Sequence, residues 1–169
     1  MEKINLDQFD YKRNLLFIWP PWVWKTFEAK RLLNNYVNET THEKLRIYEI
    51  TDWYFKQLVK SKQLILRWPE DYWCNITLYP LEMMTRVDVL LYDDLWVNET
   101  TEAYLKVLLF VLDERIKKNK INIITSNLTS KELKTKLNEM IYSRLLLNTN
   151  IVIFEWEDKR LNTTKYFKF

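Results

Sequence analysis

The stretch LLFIWPPWVWKT, residues 15–26, decides how the rest of the chain is read. Its first half belongs to NLLFI (14–18), a short continuous apolar run of the kind that forms a buried strand. From Thr26 to Val37 the apolar residues Phe27, Leu32, Leu33 and Tyr36 suggest a helix. Between the two lie Trp19, Pro20, Pro21, Trp22, Val23 and Trp24, ending on the pair Lys25-Thr26. A strand, a tight loop and a Lys-Thr pair opening a helix is the layout of the pattern G-x-x-x-x-G-K-[ST]. The three positions where such a loop takes glycine, 19, 22 and 24, carry tryptophan instead.

That substitution is part of a wider anomaly. Average usage of about 7% predicts roughly 12 glycines in a chain of this length, and there are none, while tryptophan reaches eight. Trp68 precedes a proline, Trp96 follows an acidic strand end, and Trp156 sits in the polar turn FEWEDKR. These are places where a small residue that tolerates positive φ is expected. We read most of the eight as standing where an ancestral sequence carried glycine.

The remaining composition is ordinary. At 169 residues, with 47% apolar and 29% charged residues, the chain is long enough for one domain with a real core. No apolar run approaches the roughly 18 residues of a membrane span, and the polar start MEKINLDQFDYKRN is unlike a signal peptide. The single Cys74 excludes an internal disulfide framework and fits a reducing cytoplasm. One histidine, His42, leaves little for histidine-based metal or triad chemistry. The net charge of +3 permits contact with nucleic acid without arguing for it. In a cytosolic chain the sequons at Asn38, Asn75, Asn98, Asn127 and Asn162 carry no meaning.

Outward from the opening stretch, strands and helices alternate. LRIYEI (45–50) reads as a second strand, and Thr51 and Asp52 as caps of a helix running to about Lys62. A less regular stretch from Lys62 to Pro80 leads to a short helix, 80–85, and then to VDVLLYDD (87–94), the clearest strand. Thr100 to Lys118 reads as a long helix with Tyr104, Val107, Leu108, Val111 and Leu112 on its apolar face. INIITS (121–126) is a further strand, Ser130 to Leu147 holds one or two helices, and NIVIFEW (150–156) is the last core strand, with TKYFKF free to pair on an edge. Such alternation of apolar strands with helices predicts an α/β fold: a three-layer parallel sheet with helices on both faces. Ligands on such sheets bind at the carboxyl ends of the strands, where the polar groups 19–26, 93–94 and 125–127 collect.

Those groups make a coherent site on paper. Loop amides from Trp19 to Trp24 and the helix N-terminus would cradle phosphates, Lys25 would reach the β- and γ-phosphates of ATP, and Thr26 would hold Mg²⁺. Asp93, at the end of an apolar strand, would hold the same ion, and Asp94 would orient and deprotonate an attacking water. Asn127, in IITSNLT, offers a neutral amide to the γ-phosphate or the water. Arg144, in an apolar helical context, could present its guanidinium to a neighbouring subunit's ATP, and Arg160 could reach the nucleotide of its own. Each piece also has a plain reading: a capped helix start, a solvated turn, a strand end, two surface ion pairs. The order of the Lys-Thr and Asp-Asp pairs, about 70 residues apart, weighs against those plain readings.

With glycine restored, WPPWVWKT resembles the phosphate loop of AAA+ ATPases, and the chain as a whole resembles the DnaC/DnaI helicase loaders and their IstB transposition relatives. YDDLWVNETTE is similar to the stretch that follows the acidic pair in that family, and ITSNL, SRL and the late turn to Arg160 resemble its sensor 1, arginine-finger and sensor 2 regions. The likeness runs from about residue 14 to 160. It implies a P-loop AAA+ core that binds ATP between subunits of a homo-oligomer, uses single-stranded DNA as a cofactor, and loads a replicative DNA helicase. It also implies that Arg144 acts in trans and Arg160 in cis, and it matches Arg115 to a family arginine. Asn98 stands where the family commonly has an acidic residue, and Met140 where it has a second arginine. With about 13 residues before the first strand, we expect residues 1–169 to form a single ATPase core lacking the family's N-terminal helicase-binding region. Three functions remain open: a helicase-loading ATPase, an IstB-like transposition ATPase, and a non-hydrolysing DNA- or helicase-binding module. Indoles at 19, 22 and 24 would keep amides away from phosphate, so nucleotide binding by this sequence is expected to be abolished or nearly so.

Overall fold

A computed structural model of the chain describes residues 12–18, 25–39, 45–61, 80–95 and 100–153. Five strands form one sheet: β1 (Asn14–Ile18), β2 (Ile47–Thr51), β3 (Val89–Leu95), β4 (Ile121–Ser126) and β5 (Thr149–Ile153). Their order across the sheet is β2-β3-β4-β1-β5, and every pairing is parallel. The chain's first strand thus lies inside the sheet, between β4 and β5. Strands flanked on both sides and covered on both faces have no solvated face, which is why NLLFI and VLLY read as continuous apolar runs.

Helices α1 (Lys25–Glu39), α2 (Asp52–Lys60), α3 (Pro80–Arg86), α4 (Glu102–Lys117), α5 (Ser130–Lys136) and α6 (Glu139–Leu146) occupy the connections. Two apolar clusters fill the layers. On one face Ala29, Leu32 and Leu33 of α1 pack on Leu15, Phe17, Val89, Leu91 and Ile123. On the other, α2, α3, α4 and α6 cover Leu16, Ile18, Leu90, Tyr92 and Ile124 with Phe55, Met84, Leu108 and Ile141 among others. This is the expected three-layer α/β arrangement. Alternate residues of β1 and β3 serve opposite clusters, as the two-residue period of a strand requires.

Several boundaries moved for identifiable reasons. The second strand runs from Ile47 to Thr51 rather than over 45–50, because Thr51 pairs with Asp93 while its hydroxyl caps α2 by accepting from the amide of Tyr54. The long helix begins at Glu102, since Thr101 is its N-cap and accepts from the amide of Tyr104. The segment Ser130–Leu147 is two helices, each with its own cap: Thr129 and Glu132 form a reciprocal capping box, and Asn138 accepts from the amide of Ile141. Phe27, expected on the buried face of α1, is 56% exposed. It occupies the first turn, on the side of the helix turned away from the sheet. The expected irregular stretch 62–80, the edge segment TKYFKF, and residues 154–156 of the last strand lie outside the described residues.

Candidate functional site

β3 carries the acid pair out of the sheet through a bulge. Tyr92 pairs with Ile124 and Leu95 with Ser126, so Asp93 and Asp94 together stand opposite the single residue Thr125. Asp94 takes φ of 59°, a left-handed conformation that is uncommon outside glycine and that asparagine and aspartate enter more readily than most. The extra residue turns the two neighbouring carboxylates to different surroundings.

Asp93 is buried and accepts two hydroxyl hydrogen bonds on the same oxygen: from Thr26 Oγ1 at 2.8 Å and from Thr125 Oγ1 at 2.6 Å. Asp94 is exposed, its backbone amide donates to Thr125 Oγ1 at 2.8 Å, and its Oδ1 accepts a short hydrogen bond from Asn127 Nδ2. Lys25, the first residue of α1, is buried at the same edge. Burial brings its ammonium down to about 8, against the opposing pull of Asp94 and Asp93. The carboxyl of Asp94 is pushed up by burial first, then by the charges of Asp93 and Asp52, and is partly held down by Lys25 and the amide of Asn127. Lys25 and Asp94 are thus both shifted by burial and by neighbouring charge within a single small volume, the pattern expected where charge is to be managed during a reaction.

Behind the pair lies a second polar knot. Asp52, 2% exposed at the start of α2, accepts from Tyr92 Oη at 2.6 Å and Tyr104 Oη at 2.5 Å and pairs with Lys56 Nζ at 2.8 Å. Phe55 packs edge-on against both tyrosine rings. These contacts tie α2 and α4 to β3 one residue before Asp93, and they bring a third negative charge near Asp94.

Of the residues singled out in the sequence, Lys25, Thr26, Asp93, Asp94 and Asn127 therefore converge at the carboxyl ends of β1, β3 and β4. Arg144 does not join them. It lies in the last turn of α6, shortly before β5 begins, and its Nε donates to Asp113 Oδ1 of α4 at 3.0 Å. That position is at the amino edge of the sheet, opposite the acids. Arg115 is no surface or ligand-facing group at all: it is fully buried, donating to the carbonyls of Met84, Val87 and Ile121 and to Asn122 Oδ1. Met140 is exposed on α6. The loop from Trp19 to Trp24, Asn98 and Arg160 lie outside the described residues. Thr125 and Asp52 were missed. Thr125 lies in a strand end and Asp52 at the first position of α2, neither in a motif spacing, and only the fold brings Thr125 to the acid pair and Asp52 to Tyr92 and Tyr104.

A magnesium ion takes oxygen ligands, few of them from protein when phosphates are also present. The hydroxyl of Thr26 and the carboxylate of Asp93, already in contact, are of the right type and fit such an ion. Among the described residues no group of three or more His, Cys, Asp or Glu side chains is gathered as a metal cage, and no helix is long and apolar enough to cross a membrane.

No protein-family model matches the sequence, and no curated protein does. Solved structures do match. Against the crystal structure of the DnaC helicase loader the TM-score is 0.69 at 20% identity, over 89% of this chain and 84% of that one. Against DnaI it is 0.61 at 19% identity, over 88% and 78%. Against the replication initiator DnaA bound to AMPPCP and single-stranded DNA it is 0.65 at 18% identity, over 90% of this chain but only 43% of the other. At such identities the likeness is one of fold: the chain shares the three-layer α/β fold of these helicase loaders and this initiator.

Proposed function

We propose that this chain is an AAA+ ATPase core of DNA replication that binds ATP and Mg²⁺ and acts in loading a replicative helicase onto single-stranded DNA. The observation that carries the reading is the convergence of Lys25, Thr26, Asp93, Asp94 and Asn127 at the strand ends beside the loop that joins β1 to α1. In this reading Lys25 faces the β- and γ-phosphates, and Thr26 and Asp93 hold the magnesium ion. When bound, that ion offsets phosphate charge. Asp94, with its raised carboxyl and its tether to Asn127, orients a water and takes its proton. Arg144, facing away from its own site, is suited to serve a neighbouring copy's nucleotide, which calls for a homo-oligomer. Arg160 is assigned to the nucleotide of its own subunit. The resemblance to DnaC and DnaI favours the helicase as partner over the transposase served by IstB-like ATPases.

A second reading rests on Trp19, Trp22 and Trp24: a DNA- or helicase-binding module that keeps the scaffold without turning over nucleotide. The test is calorimetric titration of Mg-ATP into the full chain and into the W19G/W22G/W24G variant, followed by turnover with and without single-stranded DNA. We expect little or no binding by the chain and tight binding with DNA-stimulated turnover by the variant. Failure of the variant to bind would remove the ATPase reading and leave the binding module. Capture of a replicative helicase, and not of a transposase, is the expected outcome of pull-down with purified candidates.

A further inference from the structure

We infer that Thr125 is the positioning residue that divides the acid pair into two roles. This rests on the ATPase reading, in which Asp93 holds the metal and Asp94 handles the water. Thr125 is 1% exposed, on β4, a neighbour of β3. Its single hydroxyl has two bonds: it donates to Asp93 Oδ1 at 2.6 Å and accepts from the backbone amide of Asp94 at 2.8 Å.

The pairing between β3 and β4 breaks at this point, since two residues of β3 face one of β4. The amide of Asp94 consequently has no carbonyl of the regular ladder to meet, and a buried amide left unpaired is unfavourable. Thr125 supplies the missing acceptor, which fixes where the bulge falls and holds Asp94 at φ of 59°. By donating with the same hydroxyl, it also turns the Asp93 carboxylate toward the side where Thr26 donates to the same oxygen. Neighbouring residues of a regular strand would point to opposite faces. The bulge lets both acids stay at the strand end, one beside Thr26 and the other beside Asn127. A valine at position 125 has nearly the same shape and neither bond; a serine keeps both.

The experiment compares Thr125→Val and Thr125→Ser in the full chain and in the W19G/W22G/W24G background. The first measurement is amide hydrogen exchange, residue by residue. Expected is exchange at Asp94 at least about 100-fold faster in T125V, with Leu91 and Ile123 protected as before, and no such change in T125S. The second is ATP turnover against substrate concentration. T125V is expected to lower kcat about 100-fold with KM little changed, as misplacement of a reacting group does, and T125S to restore it. Unchanged exchange at Asp94 in T125V would overturn the proposal. So would loss of protection throughout the sheet shared by T125S, which would make Thr125 a packing residue alone. A kcat kept in T125V would also overturn it. If the glycine-restored parent neither binds nor turns over ATP, the ATPase reading falls, and the exchange arm alone decides whether Thr125 sets the bulge.

Discussion

The two edges of the same sheet treat buried charge in opposite ways. At the amino edge Arg115 is fully buried, yet its guanidinium meets the carbonyls of Met84, Val87 and Ile121 and the side chain of Asn122, which in turn donates to Asn14. Asp88 beside it pairs with Arg46 and Lys120. The guanidinium of Arg115 is thus matched with acceptors on each of its nitrogens, although nearby Arg13 Nε is buried without a partner among the described residues. At the carboxyl edge Asp52, Asp93 and Asp94 crowd together with Lys25 among them, one acid sits in a left-handed bulge, and burial, then like charges, raise the carboxyl of Asp94. The first arrangement suits a fold that must not move. The second holds unfavourable charge in place, which folding alone gives no reason to keep.

The comparison breaks most easily at Arg115. Replacing it by alanine leaves three main-chain carbonyls without their donor in the core, each worth about 1–3 kcal/mol. We expect R115A to lose at least about 3 kcal/mol by denaturant titration, and a loss below about 1 kcal/mol would remove the contrast. Asp94 should behave in the reverse manner. In the glycine-restored chain D94N is expected to lower ATP turnover at least about 100-fold without lowering the melting temperature. Folding raises the carboxyl of Asp94, so the folded chain holds that proton more tightly, and stability falls as pH rises from the ordinary carboxylate value through the raised one. Asparagine removes that cost.

Lys25 sharpens the contrast through pH. Its folded value is about 8 against 10.5, so the unfolded chain binds more protons in between, and this group should make the protein more stable as pH rises across that window. K25M should lack the rise in urea titrations between pH 8 and 10. Asp88 has the opposite sign: its partners Arg46 and Lys120 hold it well below the usual carboxylate range, so its contribution is lost as pH falls below about 4. D88N should flatten acid unfolding. The smallest effect belongs to neither edge. T129A removes the capping box of α5 and should cost about 1 kcal/mol, with turnover unaffected.

Much of this was readable in advance, and for a physical reason. In a parallel sheet all strands end on one side, so polar residues after separate apolar runs must meet, and Lys25, Thr26, Asp93, Asp94 and Asn127 did. The helix cap at Thr51 was legible because capping is local. Thr125 was not, since its role depends on a bulge that shifts register by one residue. Nothing in VDVLLYDD announces that irregularity. Arg115 resembled a family arginine in sequence, but position along a helix does not reveal burial, and its partners come from α3, the link between α3 and β3, and β4. Phe27 was misassigned because one apolar residue in a helix's first turn can face solvent as easily as the core.

The place of β1 has a consequence for how the protein is made. Of the described strands β1 is made before the others, and it pairs with β4 and β5, never with β2; Asn14 meets Asn122 across 108 residues of chain. Through most of synthesis Leu15, Leu16, Phe17 and Ile18 have no partner strand, while β2 and β3 can already pair as their own unit. The sheet closes only when β4 takes up β1 and β5 adds to β1, a non-local closure of the kind that is slow and leaves an apolar segment open to chaperones or to aggregation until then.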